Sequence, residues 1–323
     1  MSIGLLALVG LSPERLTALS AAGYAVREGK KFPNRSDALR EAGEAADTVR
    51  AVLTNGRGGL SSGEMALLPK LEFICTVGAG YEAVDLDAAR SRGIAVANCP
   101  DTNASAVADS AMMLLMAATR HLRAADRHLQ AGGWQDQWSV VTPTISGKRL
   151  GVLGMGTIGG KIAHRAARGF DMTVGYHNRQ AVSGSSYRYF DSLIALARWS
   201  DFLICAAPGG AGTRHLVNAD VLTALGAQGY LVNIGRGTVV DTAALIDALR
   251  SKRIAGAGLD VVEGEPAVPP SLPALLQFDN VVITPHCAGR APEARAAATA
   301  LILANLNAHF AGKPLLTPVS FKA

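Results

Sequence analysis

Three short segments carry an arginine, three carboxylates and a histidine at comparable places in the chain: Asn233-Ile-Gly-Arg236-Gly, Gly258-Leu-Asp260-Val-Val-Glu-Gly-Glu265-Pro266, and Thr284-Pro-His286. Each follows a short apolar run, at 230–234, 257–261 and 281–284, so each is expected at the C-terminal end of a strand. A fourth segment, Val77-Gly78-Ala79-Gly80-Tyr81, ends a similar run at 73–77. Ligands of open α/β sheets bind at that edge. Hydride transfer to a ketone needs a polarising cation, a proton donor for the new alkoxide and an anchor for the substrate. Arginine, histidine and a loop of backbone N–H groups would supply them. Taken singly, Arg236 could pair with an acid in a turn, His286 could be a satisfied core histidine, and Glu265-Pro266 could merely open a loop.

A hydride also needs a carrier. The series Gly154-Met155-Gly156-Thr157-Ile158-Gly159 follows an apolar run at 150–153 and leads into a helical pattern of Ile158, Ile162, Ala163 and Ala166. In a strand, turn and helix the first glycine permits the tight turn, the second admits a pyrophosphate, and the third lets the helix pack on the strand. The phosphates then meet the unpaired N–H groups and positive dipole end of the helix. An NAD site usually has an acid about 20 residues further on, which accepts from the ribose 2′-hydroxyl. Here Tyr176-His177-Asn178-Arg179 puts an arginine twenty residues after Gly159. A carboxylate would repel a 2′-phosphate, whereas a guanidinium grips it with paired hydrogen bonds. The expected cofactor is therefore NADP(H), with Asn178 and Ser183 as further donors; a solvated charge ending a strand is the plainer reading of Arg179.

The elements that must position these residues follow from the alternation of β-rich and helical runs. Strands are expected at 3–9, 49–54, 73–77 and 94–97, and in a second series beginning at 150 and continuing at 172–176, 202–206, 230–234, 257–261 and 281–284. Such alternation predicts parallel sheets with helices on both faces. The dinucleotide loop lies near the middle of the 323 residues, which leaves about 100 ahead of it for another domain. Between the series runs a helical stretch over 104–129, whose Met112, Met113 and Met116 read as core filler. A last helix is expected over 292–310. The assigned domains are 1–98 with 287–323, binding substrate, and 99–286, binding the dinucleotide. A chain that leaves one domain and returns to it predicts a substrate cleft beside the connecting segments.

Composition narrows the function classes. Hydrophobic residues make up 49% and charged residues 18%, which suits packed α/β layers rather than disorder. No apolar stretch approaches the roughly 18 residues of a membrane span, and the N-terminal residues read as a strand rather than a signal peptide. The net charge of +5 is spread out, without the basic run of a nucleic-acid arm. Cys75, Cys99, Cys205 and Cys287 form no CxxC pair and read as reduced thiols in a cytoplasm. The histidines have no spacing with acids or thiols that would hold a metal, and His121 and His128 are expected on a helix surface.

Taken together and in order, the glycine fingerprint, Asn-x-x-Arg-Gly, Gly-Leu-Asp ending in Glu-Pro, and Pro-His resemble the D-isomer-specific 2-hydroxyacid dehydrogenases over nearly the whole chain. Within that family the chain is similar to NADP-dependent glyoxylate/hydroxypyruvate reductases, through Tyr-His-Asn-Arg179 and Ala207-Pro208-Gly-Gly-Ala-Gly-Thr213. The resemblance implies two doubly wound parallel-sheet α/β domains, a flavodoxin-like substrate domain and a Rossmann dinucleotide-binding domain, with the cleft between them. It implies that Arg236 binds the substrate's carboxylate and carbonyl oxygens, with the backbone at Gly78, Ala79 and Gly80 on the other carboxylate edge and Asn55 nearby. His286 becomes the acid/base and also faces the substrate. Glu265 becomes the partner of its second ring nitrogen, fixing the tautomer and stabilising imidazolium. Asp260 lies near the nicotinamide or supports this network, and Ala207, Pro208, Thr213, Ile234 and Gly235 line the cofactor. Three matches in the right chain order favour these roles over the plainer readings.

The resemblance further implies a homodimer, packed through an arm near 102–145 that carries Trp138. Arg290, four residues after His286, departs from the family's small residues and would favour a second anionic group on the substrate if it faced the site. The competing readings are a cofactor-sensing binding module without turnover, akin to a corepressor, and a dehydrogenase for another small anion.

Overall fold

Parallel strands need crossovers, and the helical runs between the β-rich ones supply them. In a computed structural model, which describes residues 2–31, 34–44, 49–134 and 138–320, the chain builds two α/β units. Met1–Asn103 with Ala291–Ala323 form the first, and Ala104–Arg290 the second.

The first unit holds β1 (Ile3–Ala7), β2 (Tyr24–Glu28), β3 (Val49–Thr54), β4 (Phe73–Thr76) and β5 (Ala95–Ala97), with α1 (Pro13–Ala21), α2 (Arg35–Glu44), α3 (Ser62–Ala66) and α4 (Leu86–Ser91). The strands are parallel in the order β2-β1-β3-β4-β5, the flavodoxin-like order. β2 was not among the expected strands. It is an edge strand that ends in Arg27 and Glu28 and fully buries only Tyr24, so it lacks the apolar signal of its neighbours. The helix Pro292–Phe310 returns to this sheet, packing Ala298, Ile302 and Leu306 with Leu5, Leu53 and the fully buried Phe73. Burying such a side chain stabilises by about 1.5–3 kcal/mol. Buried Arg15 of α1 donates to Thr299 Oγ1 at 2.9 Å and to the Arg295 carbonyl at 3.4 Å, tying α1 to that helix.

The second unit holds β6 (Arg149–Leu153), β7 (Thr173–His177), β8 (Arg188–Tyr189), β9 (Phe202–Cys205), β10 (Tyr230–Asn233), β11 (Gly256–Leu259) and β12 (Val281–Ile283). All are parallel, in the order β12-β11-β10-β9-β6-β7-β8. This is the Rossmann order with one more strand, and the winding reverses between β6 and β9. The two-residue β8 was too short to be legible. The helices are α5 (Ala104–Thr119), α6 (Leu122–Gln130), α7 (Thr157–Gly169), α8 (Leu193–Trp199), α9 (Ala219–Leu225), α10 (Thr242–Arg250) and α11 (Leu272–Leu275). One face of the sheet packs Ala108, Ala111 and Leu115 of α5 with Ile162 and Ala166 of α7; the other buries Leu196, Leu222 and Leu245.

Three expectations need correction. The helix over 104–129 breaks at His121, whose φ of +51° is left-handed. Thr119 Oγ1 donates back to the Leu115 carbonyl at 2.6 Å, and the apolar pattern changes there: α5 buries ten residues and α6 none. His121 therefore sits at the break, where burial lowers its pKa, rather than on a helix surface. Met112 is buried as expected, but Met113 and Met116 are 45% and 37% exposed. Lastly, the units divide at 103/104 and 290/291, a few residues beyond the boundaries drawn from the sequence. The Cys99 N–H donates to the Gly78 carbonyl at 2.8 Å, which keeps that segment with the first unit. Cys287 and Ala288 donate to Asp260, which keeps theirs with the second.

Candidate active site

The glycine loop follows β6 at the point where the winding reverses. Gly154 has a φ of +99°, and a Cβ there would lie 2.7 Å from the Ala207 nitrogen in the turn after β9. A Cβ on Gly159 would overlap the Gly154 carbonyl, so that glycine sets how closely α7 meets its strand. A Cβ on Gly156 would meet nothing within 4 Å, which is the open approach a pyrophosphate needs. The caps separate α7 from its neighbours: Ser192, Asn218 and Asp241 cap α8, α9 and α10 with side-chain oxygens, whereas Gly156 leaves the first N–H groups of α7 without one. The loop therefore fits a dinucleotide, whose phosphates its N–H groups would hold.

The end of β7 lies beside this loop. His177 is in register with Leu153, the Gly154 N–H donates to the His177 carbonyl at 3.0 Å, and the Met155 N–H donates to Asn178 Oδ1 at 2.6 Å. The side-chain oxygen of Asn178 thus braces the glycine loop. Arg179 is exposed and forms no ion pair among the described residues. No acid occupies the corresponding stretch, Tyr176-His177-Asn178-Arg179.

The loops after β11 and β12 bring Asp260, Glu265 and His286 together. His286 Nδ1 lies 2.5 Å from Glu265 Oε2, and Glu265 Oε1 accepts the Val262 N–H at 2.9 Å. Asp260, only 2% exposed, accepts from Thr284 Oγ1 at 2.6 Å, from the Cys287 N–H at 2.9 Å and from the Ala288 N–H at 3.1 Å. The His286 N–H donates to the Asp260 carbonyl at 2.8 Å. Asp260 thereby holds the loop that carries the histidine, whose φ of +51° is a conformation side chains rarely adopt. Ser110 of α5 adds a bond from Oγ to the Ala288 carbonyl at 3.2 Å.

Arg236 lies in the turn just after the neighbouring strand β10. Asn233 Nδ2 donates to the Arg236 carbonyl at 3.0 Å, and the Gly235 N–H donates to Asn233 Oδ1 at 3.1 Å, which fixes the turn. A Cβ on Gly235 would overlap the Ala207 carbonyl, so Ile234, Gly235, Ala207 and Pro208 share one patch beside the glycine loop. Thr213 Oγ1 donates to the Pro208 carbonyl at 2.8 Å and closes the turn after β9. Among the described residues no group of His, Cys, Asp and Glu forms a metal site, and all four cysteines are free.

The first unit brings its predicted residues to one sheet edge. Asn55 Oδ1 accepts from the Arg57 N–H at 3.0 Å and the Gly58 N–H at 2.7 Å, shaping the turn after β3. Gly78 has a φ of +116°, and Asn98 Nδ2 donates to the Ala79 carbonyl at 2.8 Å. A Cβ on Gly56 would lie 2.6 Å from the Gly80 carbonyl carbon, so the two loops touch through glycines. Arg214, His215 and Glu263 were missed by sequence reading: they join one another in the second unit across 48 residues of chain, with no motif to announce them.

These loops are those of a nicotinamide-dependent oxidoreductase with a Rossmann unit, and comparison with known proteins narrows the class. Residues 112–288 match the family described as D-isomer specific 2-hydroxyacid dehydrogenase, NAD binding domain. The chain is 40% identical over 274 residues to hydroxyphenylpyruvate reductase of Plectranthus scutellarioides, covering 85% of this chain and 86% of that one. It is 42% identical over 274 residues to 2-ketogluconate reductase of Gluconobacter oxydans, covering 85% and 87%. Among solved structures it is similar to the NADPH-dependent glyoxylate/hydroxypyruvate reductase of Sinorhizobium meliloti in complex with NADP and malonate. That match has a TM-score of 0.86 and 37% identity over 99% of this chain and 97% of that one. The chain belongs to the D-isomer-specific 2-hydroxyacid dehydrogenases, and its second unit carries their NAD-binding domain.

Proposed function

We propose that the protein reduces a small 2-oxo acid to the D-2-hydroxy acid with NADPH, glyoxylate and hydroxypyruvate being the first substrates to expect. The observation that carries this reading is the His286–Glu265 pair at 2.5 Å, one strand away from Arg236. Bound NADPH supplies the hydride. Arg236 pairs with the substrate carboxylate and draws electron density from the carbonyl oxygen, so charge developing there meets a fixed cation. Glu265 engages Nδ1 of His286, which orients the ring and leaves Nε2 to hold the proton that the alkoxide takes up. One hydride and one proton then convert the ketone to the alcohol, and the reverse oxidation returns both. In the same proposal Asn55 and the backbone at Gly78, Ala79 and Gly80 serve the substrate.

The choice of NADPH rests on Arg179, an exposed cation that forms no ion pair among the described residues, where an NAD site would carry an acid. The Sinorhizobium meliloti relative, described as NADPH-dependent, supports it. We also propose a homodimer. Met113 and Met116 of α5, Leu122 and Leu129 of α6, and Val141 at 96% exposure leave this arm more apolar than a free surface favours. A cytoplasmic location with reduced thiols belongs to the same proposal. Following oxidation of NADPH and NADH with glyoxylate, hydroxypyruvate, hydroxyphenylpyruvate and 2-ketogluconate tests cofactor and substrate together; turnover of none of them would refute the reading.

A further inference from the structure

We infer that Glu263 is a positioning residue: its carboxylate clamps the turn after β9 to the loop after β11 and so fixes Arg236, which lies on the loop between them. The inference rests on the proposed role of Arg236 at the substrate. Asp260, Glu263 and Glu265 share one short segment, and each grips a different part of the chain. Asp260 holds the 284–288 loop and Glu265 holds His286. Glu263 Oε1 forms an ion pair with Arg214, 3.0 Å from its Nη2, and lies 2.9 Å from His215 Nε2.

Arg214 and His215 continue directly from Thr213, whose hydroxyl closes the turn over 208–213. The segment is also tied to the chain that follows Arg236. The His215 N–H donates to the Thr238 carbonyl at 2.8 Å and the Val217 N–H to the Val239 carbonyl at 3.0 Å. His215 Nδ1 stands 4.0 Å from Asp241 Oδ2, and its φ of +51° shows a residue held by its surroundings.

Arg236 sits within this frame. A Cβ on Gly209 would come within 2.9 Å of Arg236 Cγ, and a Cβ on Gly237 would overlap the backbone of Val262 and Glu263. The glycines permit both approaches but supply no attraction of their own. The Glu263 carboxylate supplies it from the loop after β11 to the segment after β9, on either side of β10 and the loop that carries Arg236. Ion pairs this exposed contribute little to global stability, so the clamp is expected to act on binding geometry instead.

The test compares wild type with Glu263→Ala, Glu263→Gln, Arg214→Ala and the double variant Glu263→Ala/Arg214→Ala. Glu263→Ala should raise KM for the 2-oxo acid roughly three- to tenfold and weaken dinucleotide binding, read by fluorescence titration, by a similar factor. kcat should fall less, the thermal midpoint should hold, Glu263→Gln should recover part of the loss, and adding Arg214→Ala should do little more. Unchanged KM and dinucleotide affinity in Glu263→Ala, or additive losses in the double variant, would overturn the clamp. Should the alanine variant not fold, Glu263→Gln and Arg214→Ala carry the same comparison. If the wild type turned over no 2-oxo acid the proposed function would fail, and dinucleotide affinity alone would then decide the clamp.

Discussion

Glu265 uses its two carboxylate oxygens for different tasks: Oε1 accepts the Val262 N–H at 2.9 Å, and Oε2 lies 2.5 Å from His286 Nδ1. The carboxylate is anchored to its own loop, so it presents one defined face to the imidazole. Under the proposed function, this leaves Nε2 as the ring nitrogen available for proton transfer.

Glu265→Gln keeps a hydrogen-bonding side chain but removes the negative charge. Reduction should slow by up to about ten-thousandfold, the drop seen when the orienting carboxylate of a Ser-His-Asp triad is neutralised. Steady-state rates check this, and near-normal reduction by Glu265→Gln would contradict it.

Arg179→Asp places an acid at the end of β7, where the sequence otherwise offers His177, Asn178 and Arg179. NADPH affinity should fall by about tenfold or more as a charge-assisted contact becomes a repulsion, with NADH gaining relative to it. Titration with both cofactors reads the ratio. An unchanged ratio would remove Arg179 from the site.

Asp260→Ala would strip partners from two buried or half-buried N–H groups and the Thr284 hydroxyl. Unfolding free energy should drop by about 2–4 kcal/mol, the cost of leaving such donors unsatisfied, and turnover should fall through the His286 loop. Chemical denaturation measures the first effect. A stable variant with normal turnover would show that the loop holds itself.

Asp201 accepts from the Arg149 N–H at 2.9 Å and from its Nη2 at 2.8 Å. Partial burial pushes its carboxyl up, but the hydrogen bonds from Arg149 outweigh this and hold it below the ordinary value. A depressed folded-state pKa contributes stability that is present above the unfolded pKa and lost as pH falls through the folded one. Asp201→Asn should therefore lower the thermal midpoint at neutral pH and flatten its decline into acid; a decline as steep as wild type would contradict the assignment.

The two sheets and the C-terminal edge that holds Arg236, Asp260, Glu265 and His286 were legible because buried parallel strands read as apolar runs, and the reactive residues sit just beyond them. β2 was not legible, since an edge strand ending in Arg27 and Glu28 buries too little to show a pattern. The break at His121 was hidden by a composition that stays helical on both sides. The grip of Asp260 on the 284–288 loop and of Glu263 on Arg214 and His215 could not be read, because partners so far apart along the chain meet only through the sheet order. Exposure of Met113 and Met116 escaped for a related reason: periodicity marks an apolar face without saying what covers it.

The central claim is that His286 delivers the proton as hydride reaches a 2-oxo acid from one face. The most direct measurement is the amount and chirality of glycerate formed from hydroxypyruvate and NADPH by wild type and by His286→Gln. Wild type should form the D-isomer with one NADPH consumed per product, while His286→Gln should bind NADPH normally and lose about a hundredfold or more in rate. Formation of the L-isomer, or near-normal turnover by His286→Gln, would contradict the account.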